Sequence, residues 1–159
     1  MTEIINADLS NPHHTQAILT LLDGYATDPM GGNKPLADFV KENLIAELRK
    51  RPTIRPVLAF VDGMPAGLAM CMDGFSTFSC RPLLNIHDLA VATAFRGQGI
   101  GRKLIDYVSL LATSLGCCKV TLEVLEGNVI ATNLYKSCGF AGYELNPEMG
   151  KATFLQKNL

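Results

Sequence analysis

The sequence lacks the features that mark membrane proteins and binders of polyanions. It has no apolar run long enough for a membrane span, and its N-terminus, Met1-Thr2-Glu3, is acidic and lacks an apolar signal core. Lysine and arginine (14) are balanced by aspartate and glutamate (15), giving a net charge of −1. This balance favours neither nucleic acid nor an anionic membrane as a partner. We therefore expect no nucleic-acid binding and no membrane association.

The sequence also lacks cysteine and histidine spacings typical of a metal site. Its five cysteines are an odd number, and the adjacent pair Cys117-Cys118 cannot easily place both thiolates on one tetrahedral ion. The pair His13-His14 follows Asn11-Pro12, a predicted N-cap and first helical residue, so we expect solvent-facing helix histidines. These observations predict no metal cofactor, reduced thiols and a cytoplasmic location.

What is present is typical of a single globular domain. Hydrophobic residues make up 48% of the 159 residues and charged residues 18%, without repeats or low-complexity tracts. A chain of this length buries about two-thirds of its unfolded surface and needs no disulfide or metal for stability. We therefore expect one domain over residues 1–159.

Hydrophobic periodicity and turn residues predict a mixed α/β (α+β) sheet. The expected strands are at 3–8, 57–61, 66–75, 83–91, 119–125, 142–145 and 152–156, and the expected helices are at 12–25, 35–49 and 129–138, with another helix after the glycine-rich run at 96–101. Residues 62–65 are expected to form a hairpin turn.

The run from Arg96 to Lys103 links a predicted strand to an amphipathic helix. Glycine lets a ligand approach the backbone, and the first turn of a helix offers unpaired N–H groups and the positive end of its dipole, which together suit a phosphate. A Walker A loop is excluded because no Ser or Thr follows Lys103, and the dinucleotide fingerprint has its third glycine where this chain has Arg102. The alternative is a turn that only links strand and helix.

A second motif follows the next strand. The first pattern, Arg-x-x-Gly-x-Gly at 96–101, and the second, Asn-x-x-Ala-x-x-Leu-Tyr-x-x-x-Gly-Phe at 128–140, together resemble the GNAT superfamily of acyl-CoA-dependent N-acetyltransferases. The resemblance covers residues 55–145. Within the superfamily, residues 75–78, 87–91 and 116–117 look most like the spermidine/spermine and thialysine branch. It implies a mostly antiparallel central sheet of about six to seven strands with helices on both faces, and a homodimer.

The resemblance also implies where acetyl-CoA, the expected acetyl donor, binds. In this family two neighbouring strands splay apart and the pantetheine arm lies between them. The implied cofactor-binding residues are Leu89, Ala90, Val91, Arg96, Gly97, Gln98, Gly99, Ile100, Gly101, Arg102, Asn128, Ala131 and Tyr135. The alternative for Leu89, Val91 and Ala131 is core packing, which is compatible with backbone contacts to the ligand.

Direct attack of an amine on the thioester needs a base and benefits from an acid. Tyr135 is the expected acid for the departing sulfur, and its alternative is packing of a helix against the sheet. His87 is the expected base or proton relay, although the polyamine branch carries Glu-Asp where this chain has His87-Asp88. These two side chains point to opposite faces of a regular strand unless a bulge re-aims one. A histidine bonded within the sheet is the alternative, and Glu123 is another candidate base.

The acceptor amine is expected to be a small molecule, polyamine-like or amino-acid-like. The expected acceptor-site residues are Tyr25, Met30, Phe75 and Asp88. A flexible linker without ligand contacts is the alternative for the segment that carries Tyr25 and Met30. Two other functions remain open, which are acetylation of protein lysines or N-termini and a non-catalytic acyl-CoA-binding module.

Overall fold

A computed structural model describes all 159 residues of the chain. They form two compact units, Met1–Leu122 and Glu123–Leu159; one domain over residues 1–159 stays a prediction. The elements of the first unit are β1 (Thr2–Asn6), α1 (Pro12–Ala26), α2 (Asp38–Arg49), β2 (Ile54–Val61), β3 (Met64–Ser76), β4 (Arg81–Val91), α3 (Ile100–Ser114) and β5 (Val120–Leu122). The second unit contains α4 (Val129–Ser137). No helix combines the length and apolar character that a membrane crossing requires.

The first unit is built on one sheet with the strand order β1-β2-β3-β4-β5. The first three pairs are antiparallel, and β5 is parallel to β4. The turn between β2 and β3 contains only Asp62 and Gly63, both with positive φ (48° and 79°), because Val61 already pairs with Met64. Asp-Gly is the dipeptide that such a two-residue turn favours. The mixed, mostly antiparallel sheet is therefore confirmed.

Helices cover both faces of the sheet, as predicted. The apolar side of α3 (Ile100, Leu104, Val108, Ala112) packs on one face, and α1 and α2 pack on the other. A Cβ on Gly67 would lie 2.9 Å from the Leu104 side chain and 3.0 Å from the Ala90 carbonyl, so glycine allows α3 to approach β3 closely. At the start of α1 the Asn11 side chain accepts the His13 N–H at 2.9 Å, which confirms the predicted cap.

The predicted count of six to seven strands is wrong, because the sheet has five. The expected strands at 142–145 and 152–156 do not form, and this segment contains one bridge, Glu144 to Lys151. A 3₁₀ turn at Pro147–Met149 and Gly150, with φ of 77°, lie between the two bridged residues. So short a ribbon has too few cross-strand pairs for a stable ladder.

Other predicted boundaries move by one to three residues, as at the start of β2, which is Ile54 and not residue 57, and two of these changes have a local cause. Helix α2 begins at Asp38 and not at residue 35, because the Leu36 N–H donates to the Asp23 carboxylate at 2.8 Å and Ala37 is extended. Strand β5 ends at Leu122 and not at residue 125, because its last pair with β4 is Ile86 to Leu122, just before β4 becomes irregular.

Candidate active site

Strand β4 contains a bulge at His87. On the neighbouring strand β3, Met70 pairs with Asp88 while the next residue, Cys71, pairs with Ile86, so His87 has no opposite residue. Before the bulge, Ile86 faces α3; after it, Asp88 pairs with Met70 on the face covered by α1. A regular strand would place Ile86 and Asp88 on the same face. The bulge therefore turns Asp88 toward α1 and leaves His87 exposed.

Asp88 is half-buried, and none of the ion pairs described in the structure involves it. Burial raises the pKa of its carboxyl group above the ordinary 3.8, and the nearby His87 offsets part of that rise. Tyr25 responds to the same surroundings, since burial, then Asp88, then Asp28 raise the pKa of its phenol. The phenol therefore stays protonated, and the carboxylate remains available to a cation or a proton.

A cavity of about 230 Å³ lies between α1 and the end of β4. It is lined by Thr20, Leu21, Gly24, Tyr25, Pro65, Ala90, Val91, Ala92, Thr93 and Arg96. Ala90 pairs with Leu68 on the same face as Asp88, so the half-buried carboxylate is two residues from the cavity wall. The wall is mostly apolar, and its polar side chains are the Tyr25 phenol, the Arg96 guanidinium and the hydroxyl groups of Thr20 and Thr93.

The segment 27–34, which we call the acceptor loop, follows α1 and contains several hydrogen bonds centred on Asp28. The Asp28 carbonyl accepts the N–H groups of Gly31 (2.8 Å) and Asn33 (3.2 Å), and its carboxylate accepts the Met30 N–H (2.9 Å). The other oxygen of that carboxylate accepts Nη2 of Arg96 at 2.8 Å. The Met30 N–H and then Arg96 hold the pKa of Asp28 below its ordinary value.

The segment 96–99, which we call the glycine turn, leads into α3. Gly97 and Gly99 both have φ of 76°, and a Cβ added to either would meet nothing within 4 Å. Gly99 is the N-cap residue of α3 and makes no side-chain hydrogen bond. The first i to i−4 hydrogen bond of the helix is donated by the Lys103 N–H to the Gly99 carbonyl at 3.1 Å. The amides of the first helical turn thus lie before the first of these hydrogen bonds, which is the arrangement that binds anions at helix N-termini.

Beside the glycine turn, one edge of β4 is open. Strand β5 pairs only with Leu84, Asn85 and Ile86, so the backbone from His87 to Val91 has β3 on one side and no strand on the other. The side chains of Leu89 and Val91 pack against the core under α3. This is the packing role that the sequence left open for these residues. Except for the Val91 carbonyl, which accepts a hydrogen bond from Nε of Arg96, their peptide groups at the free edge remain available for an extended ligand.

In the second unit, Asn128 caps α4 by accepting the Ala131 N–H at 3.1 Å. Tyr135 is buried in this helix, and its ring centroid lies 6.0 Å from that of Phe140. Asn128, which the resemblance assigned to the cofactor arm, therefore also has a helix-capping role in the chain itself.

The structure brings some predicted acceptor residues together and not others. Tyr25 and Asp88 interact electrostatically, whereas Met30 is absent from the cavity lining and Phe75 lies at the far end of β3, paired with Pro82 and 59% exposed. Glu123 follows the end of β5. Sequence reasoning missed Thr20, Pro65 and Thr93 in the cavity wall and the ion pair of Asp28; only Pro65, in the hairpin, had a recognisable local signal.

Comparison with known proteins agrees with this geometry. The model of the acetyltransferase (GNAT) family matches residues 18–140, and the chain belongs to this family of acyltransferases. The resemblance inferred from the two motifs is therefore confirmed.

Individual relatives match over shorter lengths. Thialysine N-epsilon-acetyltransferase of Mus musculus is 42% identical over 65 residues, which cover 41% of this chain and 38% of that protein. Streptothricin acetyltransferase of Streptomyces lavendulae is 35% identical over 92 residues, which cover 58% of this chain and 47% of that protein. The chain thus spans less than half the length of these curated relatives.

Among solved structures, an aminoglycoside acetyltransferase from an uncultured soil metagenomic sample, in complex with sisomicin, has a TM-score of 0.80. The match covers 99% of this chain and 96% of that chain at 20% identity. At this identity the similarity shows the shared fold.

Proposed function

We propose that the protein transfers an acetyl group from acetyl-CoA to the primary amine of a small cationic molecule. The observation that carries the proposal is the open edge of β4 leading directly into the glycine turn and the start of α3. This arrangement offers peptide groups for an extended arm and then unpaired amides for a diphosphate. A mostly apolar cavity lies at the same end of β4, and the half-buried carboxylate of Asp88 is two residues from its wall.

The chain fits the donor at two places. The amides from Gly97 to Gly101 can hold the diphosphate, because both glycines of the turn leave the approach open. The free edge of β4 at residues 87–91 can bond the pantetheine arm, and Asn128, Ala131 and Tyr135 are proposed to contact it as in the family pattern. When bound, acetyl-CoA supplies an activated thioester whose carbonyl carbon the amine attacks while the sulfur departs as thiolate.

The acceptor is proposed to be cationic because the charges around Tyr25 are predominantly negative. Asp28 and Asp88 both act on this phenol, and only Asp28 has a cationic partner, Arg96. The carboxylate of Asp88 is thus left to attract an ammonium group. The curated relatives named above include enzymes for thialysine and streptothricin; we propose an acceptor of the same general kind, a small molecule with a primary amine.

Asp88 is proposed as the proton acceptor, with His87 as the relay to solvent. An amine with a pKa near 10.4 is neutral only about one time in a few thousand at pH 7, a cost of about 4–5 kcal/mol. A carboxylate in a partly buried site is a stronger base than one in water, and burial raises the pKa of Asp88. His87 is adjacent and exposed, which suits it to pass the proton on. Tyr135 is proposed to protonate the departing sulfur.

The donor site is tested by a matched pair of substitutions at the two ends of α3. Gly99→Ala and Gly116→Ala both add a methyl group at positive φ (76° and 72°) where no atom lies within 4 Å. Each should cost about 1–2 kcal/mol of stability, the penalty of left-handed backbone for an L-residue. Only Gly99→Ala should also weaken coenzyme A binding measured by calorimetry. Equal affinities in the two variants, or no binding to the unmodified protein, would overturn the proposal.

The acceptor class is tested by thiol release from acetyl-CoA with a panel of amines. Cationic amines that also carry an apolar segment should react faster than neutral ones, because the half-buried carboxylate of Asp88 lies two residues from the mostly apolar wall of the cavity. Binding of coenzyme A without turnover of any amine would instead indicate a sensor, and turnover of peptide lysines or peptide N-termini alone would indicate a protein acetyltransferase.

Two further properties are proposed with this function. A homodimer is expected from the family resemblance and is measured by sedimentation. A reducing compartment, the cytoplasm, is expected because all five cysteines are free thiols. Burial raises the pKa of one of them, Cys71, to about 12.

A further inference from the structure

We propose that the ion pair between Asp28 and Arg96 couples the donor site to the acceptor site, so that coenzyme binding helps to form the amine site. The proposal rests on the function proposed above. It assigns a positioning role to two side chains that lie 68 residues apart in the chain.

Asp28 is the centre of the acceptor loop. Its carbonyl and its Oδ1 hold three N–H groups of the loop, those of Met30, Gly31 and Asn33. The second carboxylate oxygen is left for the guanidinium of Arg96. The carboxylate is only 18% exposed, whereas the guanidinium side chain is 50% exposed.

Arg96 is the one polar connection between this loop and the end of β4. The remaining hydrogen bonds of the loop stay between residues 23 and 36. The same guanidinium donates through Nε to the Val91 carbonyl at 3.1 Å. One planar group with donors in a fixed arrangement thus joins the loop to the strand.

The acceptor loop in turn contacts the backbone of Tyr25. Gly31 packs so tightly that a Cβ there would lie 1.9 Å from the Tyr25 carbonyl oxygen and 2.7 Å from its carbonyl carbon. The Tyr25 carbonyl also accepts the Asp28 N–H at 3.0 Å. A displacement of the loop therefore displaces Tyr25, which lines the cavity.

Coupling follows because Arg96 is also the first residue of the glycine turn. A diphosphate bound to the amides of the turn restricts the backbone around Arg96. Formation of the ion pair between Arg96 and Asp28 then costs less conformational entropy. The loop then holds Tyr25 in place at the acceptor site. By linkage, a bound amine strengthens coenzyme binding by the same factor.

The size of the effect is set by the exposure of the pair. Ordinary coupling between sites is about 5–150-fold, and exposed ion pairs lie at the weak end of the scale. Because half of the Arg96 side chain is exposed, we expect coupling of about fivefold.

The experiment measures hydrogen exchange of residues 27–34 with and without coenzyme A. The variants are Asp28→Asn, which keeps an oxygen acceptor for the Met30 N–H, Arg96→Gln, the double variant and the conservative Arg96→Lys. Asp73→Asn is the matched control, since Asp73 forms a comparable pair with Arg55 at the other end of the sheet (2.7 and 2.9 Å).

Coenzyme A should slow exchange in the acceptor loop about fivefold in the unmodified protein and in Asp73→Asn, and by less than about twofold in Asp28→Asn and Arg96→Gln. Arg96→Lys should retain part of the effect. The double variant should raise KM for the amine no more than either single variant, because each removes the same contact.

The outcomes separate this inference from the proposed function. If coenzyme A binds and protects the loop equally in all variants, the coupling is refuted while the proposed function stands. The coupling would also be refuted if the double variant raised KM for the amine by the product of the two single effects. Absence of coenzyme binding to the unmodified protein would remove the proposed function and the coupling together.

Discussion

Replacement of Asp88 by Asn tests the proposed proton acceptor in two measurements, because the substitution should lower the activity but raise the stability at pH 7. Asn has nearly the same shape but neither accepts a proton nor carries charge. A positioned general base contributes about 10²–10⁴-fold to rate, so kcat/KM for the amine at pH 7 should fall by about 100-fold or more. Between pH 7 and 9 the neutral fraction of an amine of pKa near 10.4 increases about 100-fold. The defect should therefore shrink markedly as the pH rises.

Stability should change in the other direction. Burial raises the pKa of Asp88 above 3.8, so the folded chain binds this proton more tightly than the unfolded chain. The contribution of this residue to stability is therefore largest below the ordinary pKa and declines as the pH rises toward the folded pKa. Asn does not titrate, so Asp88→Asn should be more stable than the unmodified protein at pH 7 and the gain should diminish near pH 4.

Thermal unfolding and steady-state kinetics on the same preparations make the comparison. A gain of about 1 kcal/mol corresponds to about 2–4 °C in Tm for a chain of this size. The control is Asp73→Asn, which removes the bidentate pair with Arg55 and should lose stability while keeping kcat/KM. An Asp88→Asn variant with less than about a tenfold loss of activity and an unchanged pH profile would refute the role of this carboxylate.

Three further predictions use other residues of the site. His87→Ala should lower kcat/KM below pH 8 and less above it, and a flat profile close to that of the unmodified protein would remove His87 as relay. Tyr135→Phe should lower kcat by about 10²-fold with little change in coenzyme affinity, measured by single-turnover kinetics and calorimetry; a normal kcat would contradict the acid role. Asn128→Ala and Asn11→Ala each remove a helix cap (3.1 and 2.9 Å) and should each cost about 1 kcal/mol in urea unfolding. Only the former should also weaken coenzyme binding, and equal binding would refute that contact.

The parts of the fold that sequence predicted are those set by local chemistry. Asn11-Pro12 specifies the start of α1, and Asp62-Gly63 specifies the hairpin, because each acts through its own backbone. The glycine turn is of the same kind, since positive φ at Gly97 and Gly99 is a property of those residues. Family motifs added the prediction of a donor site, which periodicity alone leaves open.

The features that sequence did not predict depend on partners distant in the chain. The bulge at His87 is defined by the pairing of Met70 and Cys71 on another strand, and its trace within β4 is only the change of the core-facing residues from Leu84 and Ile86 to Leu89 and Val91. The contact between Asp28 and Arg96 crosses 68 residues. The two strands expected near the C-terminus have strand-like composition, but their pairing stops after one bridge.

The bulge in β4 makes one position of this strand dispensable for its pairing. Removal of His87 would make Ile86 and Asp88 consecutive residues of a regular ladder without any change of partner, because the consecutive residues Met70 and Cys71 already pair with Asp88 and Ile86. Leu84 and Ile86 would keep their places in the core beneath α3, and Asp88 would keep the opposite face, since neighbouring residues of a regular strand alternate between faces. A single missing codon at this position should therefore leave the sheet intact and remove only the exposed imidazole, so the loss would fall on the proposed proton relay and not on folding.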